Sequence, residues 1–508
     1  MKNMMRKLRG FSVLFLVALL VSVTGFATPR AFAAEDLPKT GFETRNGESW
    51  TTLEEEYDYL TKIDELSDNV RVTQEGSSVL GKPIHLIRVG NPLLSDEEIA
   101  DGRNMFIIGT PHGNEPAGRE MALSLIRDIA FTEDPEMLAL LQKTTFLFTP
   151  TPNPDGRQDN RRTNEWRLDN NRDNLNLTSP ENEFIAGVLS YFNPDITVDL
   201  HERGGNDPDI EALWPRNLNV DAELRELNIK LVEDYVFPVA QKDGWTTGLY
   251  GSPGGAGGED ERILRNMGAL RGGLTLLTES GTGTTYQKRV DMQRSVTNAA
   301  LAFYQDHFDE IATVRAGAKE RRTADGIDSS VPFYLDGADN WAPKNVLTTK
   351  PMGYLLTKDQ TNDVSKHINF FNMETVNLSN GTFISMNQPM MTVLPFLFDE
   401  RAKYNEISAL PLYSLSKPGT AANMSAQVTH FINEGAFSDQ VASRTVAMHV
   451  SAVSLYETNN EVEKIVKHMN SFKLLLDQQK ATGVISNEAF TNLTTYADFI
   501  IEKWSATE

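Results

Sequence analysis

Two residues with chemistry to offer stand three apart in Ile107-Ile108-Gly109-Thr110-Pro111-His112-Gly113-Asn114-Glu115-Pro116. The apolar run Met105 to Ile108 reads as a buried strand, and Gly109 and Pro111 break it. His112 and Glu115 follow the break at a spacing that lets both reach one ion. An imidazole and a carboxylate, with room for a distant third ligand and a water, suit a catalytic zinc site. The chain has no cysteine, so any metal must be held by His, Glu or Asp, and thiol nucleophiles are excluded. The next histidine, His201, directly follows the candidate strand Ile196–Leu200, at the strand end where α/β proteins build their sites. Glu279 closes another apolar segment, Gly273–Thr278. A carboxylate there is costly to desolvate, so a partner or a function must hold it. Each residue alone has a plainer reading, as a solvated loop group or a hydrogen-bonded structural histidine.

The elements that must position these residues are legible in outline. Leu53, Tyr57, Leu60 and Ile63 recur at helical spacing across 52–66, after a polar lead-in from 34. Val70–Val72 and Ile84–Val89 read as strands joined through the turn Gly81-Lys82-Pro83. A helix is expected from Gly118 to about Ala130, another from Pro135 to Lys143, then the strand Thr145–Thr149. Strands alternating with helices indicate an α/β sheet with active loops at strand ends. Asn153-Pro154-Asp155-Gly156 is a turn, and the polar tract Arg157–Leu177 is long for a structureless loop in a compact domain, which favours a functional role. Leu249–Gly258 reads as a mobile Gly-rich loop and lacks the Lys-Ser/Thr of a phosphate-binding loop. A helix from Arg289 to about Ala316 is expected to close the domain.

Bulk properties narrow the setting. A chain of 508 residues predicts two or three domains, and 40% hydrophobic residues exclude general disorder. Lys2, Arg6, Lys7 and Arg9 precede an apolar stretch from Phe11 to Phe26, and Ala31-Phe32-Ala33 offers a cleavage site. The stretch is short and interrupted by Ser12, Ser22 and Thr24, so a cleaved signal peptide over 1–33 is expected in place of a membrane anchor. No later segment approaches the roughly 20 apolar residues of a spanning helix. The expectation is a secreted or extracellular protein. Residues 1–33 carry five Lys/Arg and no Asp/Glu, so their removal takes the formal charge from −22 to −27. Such a surface repels nucleic acid and anionic lipid.

Six motifs occur in the order seen in one enzyme family: His112-x-x-Glu115, Asn153-Pro154-Asp155-Gly156, Arg162-Thr163-Asn164, Asp169-Asn170-Asn171-Arg172-Asp173, Asp199-Leu200-His201 and Leu277-Thr278-Glu279. From roughly 50 to 315 the chain resembles the zinc carboxypeptidases. The resemblance implies an α/β fold with a mixed sheet and helices on both faces. It implies one Zn2+ held by His112, Glu115 and His201, with a fourth position for water. Glu279 would be the general base and Arg162 the group that stabilises the oxyanion. Asn171 and Arg172 would grip the terminal carboxylate of the substrate, and Tyr250 would close over it. The pattern departs from the family at Asn170, where leucine is usual, and Arg167 in Trp166-Arg167 competes with Arg162 for the oxyanion role. Related zinc deacylases share His-Gly-Asn-Glu, but the Asn-Pro-Asp-Gly turn and the Asn171-Arg172 pair fit them less well. Glu259, Asp260 or Glu261 could select a basic terminal side chain, or simply be solvated.

The expected organisation is a signal peptide over 1–33, a zinc carboxypeptidase-like catalytic domain over 34–320, a small α/β accessory domain over 321–430, and a helical hairpin over 455–508. Residues 317–340 read as a polar linker. The hairpin, with Ile465, Met469, Phe472, Phe490, Leu493, Tyr496 and Ile500 at helical spacing, resembles the FIMAH module of secreted proteins and offers a surface for cell-surface contact. The function that follows is a secreted metallocarboxypeptidase acting on C-terminal peptide bonds. Two alternatives stay open: an enzyme of the same fold acting on cell-wall stem peptides, and a non-catalytic surface-binding protein.

Overall fold

The computed structural model describes residues 37–251 and 258–506. The expected signal peptide over 1–33 and the centre of the Gly-rich loop, 252–257, lie outside the described residues. Eight strands form the main sheet: β1 (Val70–Ser77), β2 (Pro83–Val89), β3 (Asn104–Ile108), β4 (Thr145–Thr149), β5 (Ile196–Arg203), β6 (Ile210–Leu213), β7 (Thr247–Leu249) and β8 (Leu274–Gly281). Their order is β1-β2-β4-β3-β5-β8-β6-β7. The central four, β4, β3, β5 and β8, run parallel. Antiparallel partners flank them, β2 beside β4 and β6 beside β8, so the sheet is mixed.

Helices α1 (Leu53–Leu66), α2 (Ala117–Ala130), α3 (Pro180–Phe192), α4 (Leu264–Leu270), α5 (Tyr286–Asp306) and α6 (Phe308–Ile327) cover both faces. The strand period of two decides which residue meets which layer. Met105 and Ile107 of β3 join Met121 and Ile126 of α2 and Val296 of α5 in one core. Phe106 and Ile108, pointing the other way, join Phe184, Ile185 and Val188 of α3. Central strands covered on both faces favour apolar residues, which is why Met105–Ile108 of β3 and Phe146–Phe148 of β4 read as hydrophobic runs. Each such buried side chain contributes about 1.5–3 kcal/mol. Close approach fixes the helix that follows the His112 loop: a Cβ on Gly118 would lie 2.2 Å from the Gly109 carbonyl oxygen.

The helix expected over Arg289–Ala316 is two helices. His307 takes a non-helical conformation between α5 and α6, where the Tyr235 hydroxyl lies 3.1 Å and Glu310 2.6 Å from its ring. α6 runs on to Ile327, so 317–327 is helix and not linker; Ala318 and Arg322 are buried, and Arg322 donates to the Leu270 carbonyl at 2.7 Å. The charged residues that made this stretch look like a linker lie mostly on the solvent side. Beyond it come a short hairpin, β9 (Phe333–Tyr334) with β10 (Val346–Leu347), and a four-stranded antiparallel sheet ordered β12-β13-β11-β14, from β11 (Gly353–Thr357), β12 (Thr375–Leu378), β13 (Gly381–Ser385) and β14 (Leu410–Leu412).

The chain ends in four helices, α7 (Ala421–Asn433), α8 (Gln440–Thr458), α9 (Val462–Ala481) and α10 (Asn487–Ser505). The expected hairpin is α9 and α10; α7 and α8 precede it and share its core. Val428, Val450, Met469, Phe472, Tyr496 and Ile500 pack with Leu355, Phe383 and Leu412 of the small sheet. A hairpin alone would leave one apolar face of α9 uncovered. The described residues from 38 onward form one compact unit. Among the described residues, no helix is long and apolar enough to cross a membrane.

Candidate active site

The parallel strands β3, β5 and β8 end on the same edge of the sheet, and that geometry assembles the site. Ile108, Asp199 and Leu277 are level across the three strands, and His201 is level with Glu279. Residues level on adjacent strands point the same way, so the His201 and Glu279 side chains share a face. Beyond β3 a tight turn, Glu115 N–H to the His112 carbonyl at 3.0 Å, folds the Glu115 side chain back toward His112. A Cβ on the intervening Gly113 would lie 1.9 Å from the Gly156 carbonyl carbon, so only glycine lets this turn meet the Asn153–Gly156 turn. The Asn153 amide ties the pieces together by donating to the Pro111 and Arg162 carbonyls.

His112, Glu115 and His201 are buried and converge. Glu115 Oε1 is 2.9 Å from His112 Nδ1, Glu115 Oε2 is 2.9 Å from His201 Nδ1, and the two Nδ1 atoms are 3.1 Å apart. Two imidazole nitrogens this close, facing one carboxylate, match the edge of a tetrahedral zinc site, roughly 3.3 Å for ligand bonds of about 2.0 Å. The far side of each ring is held by a carboxylate: His112 Nε2 lies 2.9 Å from Asp169 Oδ1, and His201 Nε2 lies 3.0 Å from Asp199 Oδ2. A carboxylate at Nε2 keeps the proton there and leaves the Nδ1 lone pair for a metal. Burial opposes charge on both histidines, but their carboxylate neighbours outweigh it and raise both, Glu115 and Asp169 for His112 and Asp199 and Glu115 for His201. Burial likewise works against the Glu115 carboxylate, and the two histidines overcome it and hold its carboxyl well below the usual range. The donor set fits zinc.

Glu279 is buried, and its Oε2 meets no hydrogen-bond partner among the described residues. Burial, reinforced by Glu115 and opposed by His201, His112 and Arg162, pushes its carboxyl up to about 7. A carboxyl poised near neutrality beside a metal-binding set is suited to proton transfer.

Arg162 and Arg167 part company in three dimensions. Arg162 lies 3.2 Å from Glu115 Oε1 and makes two hydrogen bonds to Asp169 Oδ2, at 3.1 and 3.0 Å, while its side chain keeps 46% exposure. Arg167 is exposed with φ +63. Asn171 is buried beside His201, donating to Asp199 at 3.3 Å and accepting from the Leu264 N–H at 2.8 Å. Arg172, one residue on, is partly exposed; it donates to the Asn171 carbonyl and approaches Asp260 only to 3.9 Å. Tyr250 follows β7, and its phenol is raised by burial and by Glu279. All eight residues expected from the sequence therefore lie on the sheet edge where β3, β5 and β8 end or on the loops beside it.

The roles of Asp169 and Asp199 are not among those expectations, although both stand in the motifs. A signal was present: Asp199 is two residues before His201 on a strand, hence on the same face.

The family profile described as Zinc carboxypeptidase matches residues 56–203, and that of the FIMAH domain matches 421–502. Carboxypeptidase 2 of Trichophyton equinum is 29% identical over 231 residues, covering 41% of this chain and 43% of that protein. Probable carboxypeptidase 2 of Arthroderma benhamiae is 26% identical over 313 residues, 56% of each. The chain spans about half the length of the curated relatives it matches. A solved metallo-carboxypeptidase from Burkholderia cenocepacia is 21% identical, with a TM-score of 0.42 over 51% of this chain and 70% of that one. The chain thus resembles the zinc carboxypeptidase family and carries a FIMAH module near its C-terminus.

Proposed function

We propose that this protein is a secreted zinc-dependent carboxypeptidase that removes residues from the C-termini of peptides. The convergence of His112, Glu115 and His201 beside Glu279, with Arg172 offering a guanidinium in the same cleft, carries this reading. One zinc ion on the three ligands would acidify a water and polarise the scissile carbonyl. Glu279 takes the proton of the attacking water and delivers it to the leaving amine, a transfer for which a carboxyl near neutrality is suited. Arg162 donates to the oxyanion that develops on the carbonyl oxygen. Arg172, assisted by Asn171, binds the terminal carboxylate, and this contact restricts attack to the last peptide bond. Tyr250 closes over the bound terminus. The catalytic role is assigned to residues 34–320, the accessory segment to 321–430, and a surface-contact role to the helices beyond. Export is part of the proposal, with cleavage after Ala33; N-terminal sequencing of the protein recovered from the medium checks it.

The test is mass spectrometry of a mixed peptide pool that includes stem peptides, incubated with mature protein. Parallel samples contain a chelator or the Glu279→Gln variant. Stepwise loss of C-terminal residues, absent from both controls, is the expected result. Cleavage confined to stem peptides would move the substrate to the cell wall. An intact pool despite one bound zinc per chain would refute the exopeptidase.

A further inference from the structure

The accessory segment reaches the groups that bind substrate, and Tyr404 is the point of contact. The Arg262 guanidinium stacks on the Tyr404 ring, 3.3 Å from its centroid. The same Arg262 grips Asp260 with two hydrogen bonds, at 3.0 and 2.9 Å, and Asp260 in turn stands 3.9 Å from Arg172. The backbone joins the same groups. The Asn174 amide N–H and side chain both donate to the Arg262 carbonyl, and the Asn176 side chain donates to the Tyr404 carbonyl at 3.0 Å and to Glu406 at 2.9 Å. The Tyr404 loop therefore clamps two segments at once, the one carrying Asn171 and Arg172 and the one carrying Asp260 and Arg262.

Asp260 is a hazard to the proposed chemistry. A carboxylate beside Arg172 is a built-in competitor for the guanidinium that must receive the substrate's terminal carboxylate. At 3.9 Å it is beyond hydrogen-bond reach, and the bidentate pair with Arg262 keeps it there. Arg262 can hold that pose because its opposite face is fixed on Tyr404, a cation–π contact in a half-buried setting. We infer that Tyr404 is a positioning residue for substrate: through Arg262 it restrains Asp260 and leaves Arg172 free to take a peptide's C-terminal carboxylate. This ties the accessory segment to substrate affinity, and it rests on the carboxypeptidase reading.

The experiment is a kinetic comparison of the full mature protein, zinc-loaded, on one peptide with a free C-terminus. Tyr404→Ala is expected to raise KM roughly threefold to tenfold, the range of a partly buried cation–π contact, with kcat little changed. Tyr404→Phe keeps the ring and should match wild type. Arg262→Ala should reproduce the Tyr404→Ala effect. The deciding measurement is the double variant: in an Asp260→Asn background the competitor is gone, so Tyr404→Ala should no longer raise KM. An unchanged KM in Tyr404→Ala, an equal rise in Tyr404→Phe, a loss confined to kcat, or a KM rise that persists beside Asp260→Asn would each overturn the inference while leaving the carboxypeptidase standing. A wild-type protein that releases no terminal residue would overturn both.

Discussion

Glu261 offers a perturbation whose size can be worked out. It is 5% exposed, and burial, with Asp260 and Glu259 adding to it against Arg262, pushes its carboxyl up to about 8 from an ordinary 4.5. The fold therefore prefers the protonated acid. Its contribution to stability is full below pH 4.5, declines as pH rises between 4.5 and 8, and is lost above 8. At pH 7 the unfolded chain has released the proton that the folded chain still binds, which costs the fold about 3 kcal/mol; above pH 9 the cost levels near ~5 kcal/mol. Glu261→Gln keeps the shape and removes the ionisation. The variant should match wild type in unfolding free energy near pH 4.5 and exceed it by about 3 kcal/mol at pH 7. Urea denaturation of both proteins at pH 4.5, 6, 7 and 8.5 measures the difference, and all other titrations cancel between them. A difference that stays flat across this range, or a variant less stable at pH 8.5, would refute the buried neutral acid.

Other predictions come from geometry. Arg162→Ala should lower kcat about 100- to 1000-fold even when assayed at saturating zinc, and Arg167→Ala should leave kcat within about twofold; steady-state kinetics at saturating zinc decides between the two arginines. Gly113→Ala forces a Cβ to 1.9 Å from the Gly156 backbone, a strain of about 3 kcal/mol or more, and should abolish zinc retention on gel filtration. In the helical module, Phe472 is fully buried, so Phe472→Ala should cost about 3–5 kcal/mol and lower the calorimetric transition temperature.

What the sequence discloses depends on how local the cause is. β3, β4, β5 and β8 each hold an apolar stretch bounded by Gly, Pro or a loop, and they are legible because burial on both faces keeps the stretch apolar up to the strand ends, where Asp199, His201 and Glu279 stand. β6 and β7 are four and three residues long, and β6 carries Glu211, so no periodicity can announce them. Helix α3 escaped the reading even though Ser179 caps it and Pro180 opens it, because the surrounding tract is polar. α7 and α8 escaped because their apolar residues acquire meaning only against α9 and α10. The site residues follow the same rule. His112 and Glu115 are a local pair, whereas Arg162 meets Glu115, at 3.2 Å, only because a loop returns across 47 positions.

The loop from 162 to 172 couples the proposed metal and substrate roles. Asp169 holds the far nitrogen of His112, Arg162 braces Asp169 and touches Glu115, Asn171 donates to the carboxylate behind His201, and Arg172 is partly exposed beside Asn171. One short segment thus touches the supports of both proposed histidine ligands and presents both proposed cationic groups. On the proposed reading, a shift of this segment moves Asp169 and Arg172 together and disturbs the Asn171 contact to Asp199 on β5. The segment continues to Asn174 and Asn176, which hold Arg262 and Tyr404, so the accessory segment is bonded to the part of the chain that spans both halves of the chemistry. On the proposed reading, a binding event that strains the Tyr404 loop would be felt first as weaker hold on the terminal carboxylate, and only then at the metal, because Asp169 lies further than Arg172 from Asn174 and Asn176 and has Arg162 to brace it.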